Sequence, residues 1–384
     1  MKEYIIPVEL KKINLQKAFS ENQWGSCLHF EIAEEQLKDI DLAIFEVNED
    51  RASLYNRGCK AGGKEIRKSL YSLFKGDYKM KIADLGTISA GNSVSDTYFA
   101  VQELIDLLLK NKVIPILLGG SKDLVYAVYQ AYTRQEQLVN FVSIDSKFSL
   151  GDADQQINDE NYLSKILFHH PSALFNFSNI GYQTYFVDLK ELSLLDELFF
   201  DIYRLGTIRS DIKLAEPIIR NADFVSLSLN SVSKAHAPAN ATASPNGFTA
   251  EQACQMTRYA GMSDKLTSFG IYDYNPEIED GGNTSMLIAQ MIWYFVDGFY
   301  YRKGDFPIAD KSNYTKYSIS LEQQELIFYK SAKTDRWWME VPYLSSAYKK
   351  YKNHLMLPCN YEEYLTASNN ELPERWFQTF KKLK

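Results

Sequence analysis

Short apolar runs alternate with amphipathic stretches along most of this chain. Leu42–Val47 is a run of strand length, and Lys81–Leu85 is another, ended by Gly86. Val113–Leu118, Phe141–Ile144, Thr184–Val187, Phe224–Leu229 and Ser268–Tyr274 repeat the pattern. Helical spacing fills the gaps. Gly62–Lys68 opens one helix, and Ser95–Asp96 predicts the N-cap of a second that runs to about Lys110, with Val101, Leu104, Ile105 and Leu108 on one face. Further helices are predicted from about Asp123 to Tyr132 and from about Thr284 to Tyr300. Strand and helix alternating through short connections predict a mostly parallel sheet covered on both faces.

The pattern divides the chain into three. Residues 1–40 are polar and mixed, with Trp24 and Phe30 as anchors. Residues 41–304 carry the alternation, and 305–384 form an aromatic-rich extension. In the extension Glu325–Lys330 and Trp337–Val341 flank a turn and predict a β-hairpin. Alternation along a strand sends Trp337 and Trp338 to opposite faces, one packed on the main domain and one free for a partner. The Pro373–Lys384 stretch is basic and amphipathic, ending in a solvated tail. The loop Ser231–Gly247 is too long for a mere connection and is expected to cover something.

Composition narrows the function. A net charge of −7 argues against a nucleic-acid partner. Cys27, Cys59, Cys254 and Cys359 are widely spaced without a CxxC pair, as free thiols of a reducing compartment are. The N-terminus shows no apolar stretch with a cleavage site, and no apolar run reaches membrane-spanning length. A cytoplasmic protein without membrane insertion is expected.

In open α/β sheets, sites form at the carboxyl ends of strands. Lys122, Asp145, Lys147, Ser228 and Asn230 all follow predicted strands. The segments that hold them are Gly119–Asp123, Asp145–Ser149 and Ser226–Asn230. They resemble the GGxHD, DxHxD and SxDxD signatures of the ureohydrolase family of arginases, agmatinases and formimidoylglutamases. Asn56-Arg57-Gly58 with Ile66-Arg67, Asp84-Leu85-Gly86, Ser244–Gly247 and Tyr272–Pro276 resemble further family elements, in the family's order. The resemblance implies an α/β/α three-layer sandwich with about eight strands. It implies trimers or hexamers, and two manganese ions that ionise a water for attack on a guanidine or amidine carbon.

Six positions answer to the family's ligands: Lys122, Asp145, Lys147, Ser149, Ser228 and Asn230. Only Asp145 keeps a strong ligand, since an ammonium has three donors and no acceptor. The expectation is a relic site without manganese or any other cofactor and without catalytic residues. In it Lys122 and Lys147 would be balanced against Asp145 and Asp123 as buried ion pairs. A surviving ligand pocket would draw on Lys122, Asp123, Lys147, His236 and Asp273, the last at the place of the family's guanidinium-binding glutamate. The primary reading is a non-catalytic member that binds another protein through 305–384. The alternatives are a hydrolase of C–N bonds in an amidine or guanidine, and a sensor of a small molecule or anion.

Overall fold

The fold is described from a computed structural model, which covers all residues except 1–3, 14–18, 280, 308–310, 322–323, 344–347 and 384. The described strands of the main sheet are β1 (Ile5–Ile6), β2 (Leu42–Val47), β3 (Ile82–Ile88), β4 (Ile114–Leu118), β5 (Val139–Ile144), β6 (Leu174–Tyr182), β7 (Asp201–Arg204), β8 (Phe224–Ser228) and β9 (Ser268–Tyr272). They lie in the order β1-β3-β2-β4-β9-β8-β5-β6-β7. Only the β1–β3 pairing is antiparallel. Every residue of β2, β4, β5, β8 and β9 is buried, as a sheet with helices on both faces requires. The two faces carry separate apolar cores. One contains Ile44, Ile116, Leu227 and Phe295, the other Phe45, Leu117, Phe141 and Tyr132.

The sheet therefore has nine strands where about eight were expected, and one expected strand is absent. Thr184–Phe186 is a turn of 3-10 helix, and the strand in that region is β6, upstream. Asn176, Ser178 and Asn179 interrupt the apolar signal of β6. Their side chains are satisfied internally, Asn176 donating to Asp201 at 2.8 Å and Asn179 accepting from the Tyr182 amide at 3.1 Å. The helix Val94–Lys110 starts earlier than the sequence pattern predicts. Its N-cap is Ser93, whose hydroxyl accepts from the Asp96 amide at 3.2 Å while Asp96 accepts from the Ser93 amide at 2.8 Å.

The extension forms its own antiparallel sheet of β10 (Tyr314–Leu321), β11 (Gln324–Ser331), β12 (Trp337–Glu340) and β13 (Met356–Cys359), in that order. The expected hairpin is its β11–β12 pair. Two helices, Tyr361–Ser368 and Glu374–Leu383, pack on the face that carries Phe328, Trp337 and Met339. The opposite face holds Trp338, and both tryptophans are buried, where one was expected to stand exposed. The expectation of a solvated tail is also corrected at Lys382, whose ammonium donates to Asn176.

Arg220, buried at the end of helix Ala215–Arg220, is one of the struts between the two sheets. Its guanidinium lies 4.5 Å from the Trp338 ring centre and donates to the carbonyls of Trp337 and Cys359 at 3.1–3.3 Å. Arg220→Ala is expected to cost about 2–3 kcal/mol through lost charged hydrogen bonds. Urea denaturation checks this, and an unchanged midpoint would remove Arg220 as a strut.

Candidate functional site

The four central strands β4, β9, β8 and β5 are neighbours in the sheet, and their carboxyl ends deliver Lys122, Asp273, Ser228 and Asp145 to one place. Gly119-Gly120 makes this possible after β4. A Cβ on Gly120 would lie 1.9 Å from the Glu49 carbonyl oxygen, so no other residue allows that close approach.

At the centre the Lys122 ammonium donates to Asp145 Oδ2 at 2.8 Å, with side-chain exposures of 2% and 1%. Burial alone would favour the neutral amine. Asp145, joined by Glu160 and Asp273, outweighs it, so the lysine is held well above its ordinary range and stays charged. The other oxygen of Asp145 accepts from the Ser146 amide at 2.6 Å. Asp273, in the left-handed region at φ 73°, accepts from the Lys122 amide at 3.2 Å and from the Ser228 hydroxyl at 2.5 Å. Burial pushes its carboxyl up to about 7, with Lys122 opposing. Asn230 turns away from this cluster and accepts from Asn240 at 2.8 Å and Thr242 at 2.6 Å, pinning the Ser231–Gly247 loop over the strand ends. The Ser149 hydroxyl is buried without a hydrogen-bond partner.

The pairing of the lysines differs in part from expectation. Lys122 does pair with Asp145, but Lys147 pairs with Glu160, at a more exposed position. Asp123 takes neither lysine and accepts from the Tyr98 hydroxyl. His236 is exposed on its loop, while Lys122, Asp123 and Asp273 are buried, so the structure does not bring that histidine into the cluster. Glu160 and Tyr98 were missed because they lie on a polar loop and on a distant helix, where no local pattern marks them. The outlying elements do converge. Asn56 donates to the Asp273 carbonyl at 2.9 Å and accepts from Asn275 at 3.1 Å and from the Ala241 amide at 3.0 Å.

Burial also pushes Asp123 up to about 7, against the Tyr98 hydroxyl that donates to it. A native carboxyl that keeps its proton to about pH 7 binds more protons than the unfolded chain over about pH 4–7. Its contribution to stability is complete below that window and is lost as pH rises through it. Asp123→Asn should therefore flatten the decline of unfolding free energy between about pH 4 and 7 relative to the parent. Urea titrations at each pH test this, and parallel profiles would refute it.

A mostly parallel α/β/α sheet with its polar cluster at the carboxyl ends of the central strands defines an arginase-type α/β protein. A model described as "Arginase family" matches residues 40–297, two thirds of the chain, and the chain belongs to that family. The formimidoylglutamase of Macrococcus caseolyticus is 24% identical over 274 residues, covering 67% of this chain and 85% of the relative. Among solved structures, the formiminoglutamase of Trypanosoma cruzi with Mn2+ aligns with a TM-score of 0.67 at 18% identity, covering 73% of this chain and 99% of that one. The formimidoylglutamase of Bacillus subtilis aligns at 0.66 and 14% identity, covering 76% and 98%.

These relatives correct one expectation. Manganese is bound by solved members of the family, so a chain without any cofactor does not follow from the replaced ligands. The side chains as placed nevertheless do not fit a dinuclear ion set. The Lys122 ammonium already occupies Asp145, Asn230 faces Asn240 and Thr242, and among the described residues no three His, Cys, Asp or Glu groups are arranged to hold a metal. Among the described residues no helix is long and apolar enough to cross a membrane.

Proposed function

We propose that this chain is a formimidoylglutamase-like hydrolase of the arginase family, acting on the C–N bond of a linear amidine. The observation that carries this reading is the match through 85% of a formimidoylglutamase, with its signature segments delivered to adjoining strand ends. Two carboxyls, Asp123 and Asp273, have proton affinities near neutrality there, as acid–base chemistry at pH 7 demands. An amidinium substrate would compete with the Lys122 ammonium for the carboxylates, so binding requires that lysine to swing aside.

A second reading is favoured by one specific observation, the closed Lys122–Asp145 pair at 2.8 Å. In it the site is a charged core, and the chain serves as a binding component that docks a protein partner through 305–384 or associates with itself.

The test is release of formamide, ammonia or urea from formimidoylglutamate, agmatine and arginine by the full chain, with and without added Mn2+. Elemental analysis of the same samples accompanies it. Turnover above that of an Asp145→Ala control supports the hydrolase. No turnover with any of the three supports the binding reading, and co-purification from the native host then identifies the partner.

A further inference from the structure

We propose that the extension carries a binding site for an organic cation, an ammonium or guanidinium group, between β10–β12 and the helix Tyr361–Ser368. A cavity of about 570 Å³ is bounded there by Tyr317, Lys330, Asp335, Trp337, Tyr361 and Tyr364. Four of the six are aromatic and form one continuous wall. Trp337 has Tyr317, Tyr361 and Tyr364 around it with ring centres at 5.1, 5.6 and 5.0 Å, and Tyr361 stacks on Tyr364 at 5.7 Å and 22°. The faces of such rings carry negative potential and attract cations.

The cavity already takes a cation from its own chain. The Lys330 ammonium lies 5.9 Å from the Trp337 ring centre and pairs with Asp335 at 2.9 Å. This pair is weakly held, because the Asp335 side chain is 84% exposed and solvent screens it. An incoming cation meets the same ring faces and the same carboxylate, so Lys330 is a resident competitor that can be displaced into water. Tyr361 is 51% exposed, which leaves one ring of the wall open to a ligand. The site lies beyond residue 297, outside the part of the chain that matches the arginase family, and it is independent of the strand-end reading. The same cation chemistry can come from a free quaternary amine or from a basic side chain on a protein.

Isothermal titration of the full chain with tetramethylammonium chloride and with N-acetyl-arginine amide tests this, with sodium chloride as the control. Saturable binding of at least one organic cation, without any for sodium, is expected. Tyr361→Ala should weaken it about 2- to 5-fold, the contribution of one exposed ring face. Asp335→Asn should weaken it as well. Lys330→Ala should tighten it, since the competitor is gone; a merely structural lysine would not give that sign. Binding of tetramethylammonium alone assigns a free quaternary cation, and binding of the arginine derivative alone assigns a protein side chain. No saturable signal in the parent and in Lys330→Ala overturns the proposal, as does binding that Tyr361→Ala leaves unchanged.

Discussion

Arg67→Met is expected to destabilise the chain by about 3–5 kcal/mol, the cost of stripping a buried ion pair of one partner. Arg67 is buried on the helix Gly63–Ser72 and serves two carboxylates at once. It donates to Glu46 at 2.8 Å, to both oxygens of Asp84 at 2.9 and 3.0 Å, and to the Gly86 carbonyl at 2.7 Å. The Tyr71 hydroxyl adds a donor to Asp84 at 2.7 Å. Burial works against the charged guanidinium, but Asp84 and Glu46 hold it above its ordinary range, so the cation is fixed by its neighbours. Methionine keeps much of the volume and removes every donor, leaving two buried carboxylates that must stay ionised unpaired or take up protons. The loss should therefore be larger at pH 8 than at pH 5. Arg67→Lys should recover little, because a point charge cannot span both acids in the way the planar fork does. Urea midpoints at the two pH values decide it. A loss below about 1 kcal/mol at pH 8, the range of an exposed pair, would mean that the network is not needed.

The network also shows why some of the molecule is readable from its sequence. Asp84-Leu85-Gly86 and Ile66-Arg67 resemble family elements taken separately, and the structure joins them through one guanidinium. The central strands announce themselves because residues buried on both faces leave unbroken apolar runs. Strands that bury polar side chains do not: Asn176 and Ser178 in β6 share Asp201 at the start of β7, and both strands vanish from the apolar signal. Tyr185-Phe186-Val187 looked like a strand because aromatic and β-branched residues favour strands, yet Tyr185 and Phe186 are exposed on a turn. At the site, the positions of Lys122 and Asp145 followed from strand ends, whereas a charge balance gave only a set of two lysines against Asp145 and Asp123, from which the structure pairs Lys122 with Asp145. The partner of Lys147 did not follow, because Glu160 returns on an irregular loop whose path is set by tertiary contacts such as Ser164 to the Gly151 carbonyl at 2.7 Å. Neither could the sequence show that β4, β9, β8 and β5 lie side by side, since these strands are far apart in the chain.

Lys122→Met should likewise cost about 3–5 kcal/mol, because Asp145 is then left without its counter-ion in a closed interior, with Ser146 as its main donor. The informative comparison is the double variant Lys122→Met with Asp145→Leu. Removing both charges replaces the pair by apolar groups and avoids the stranded carboxylate, so the double variant should lie well above the sum of the two single losses and within about 1–2 kcal/mol of the parent. Additive losses would mean that the two side chains do not act as a pair. The same cycle separates stability from function. If the lysine is only a built-in counter-ion, the double variant keeps the fold and whatever binding the extension provides. If the strand ends turn over an amidine, Asp145 is needed there as the carboxylate that receives the amidinium in place of the Lys122 ammonium, and the double variant folds but loses turnover while Lys122→Arg, which keeps a cation beside Asp145, retains the fold. Equal folding with unequal turnover would assign Asp145 to chemistry, and loss of stability confined to the single variants, with turnover unchanged in the double variant, would assign the pair to the core.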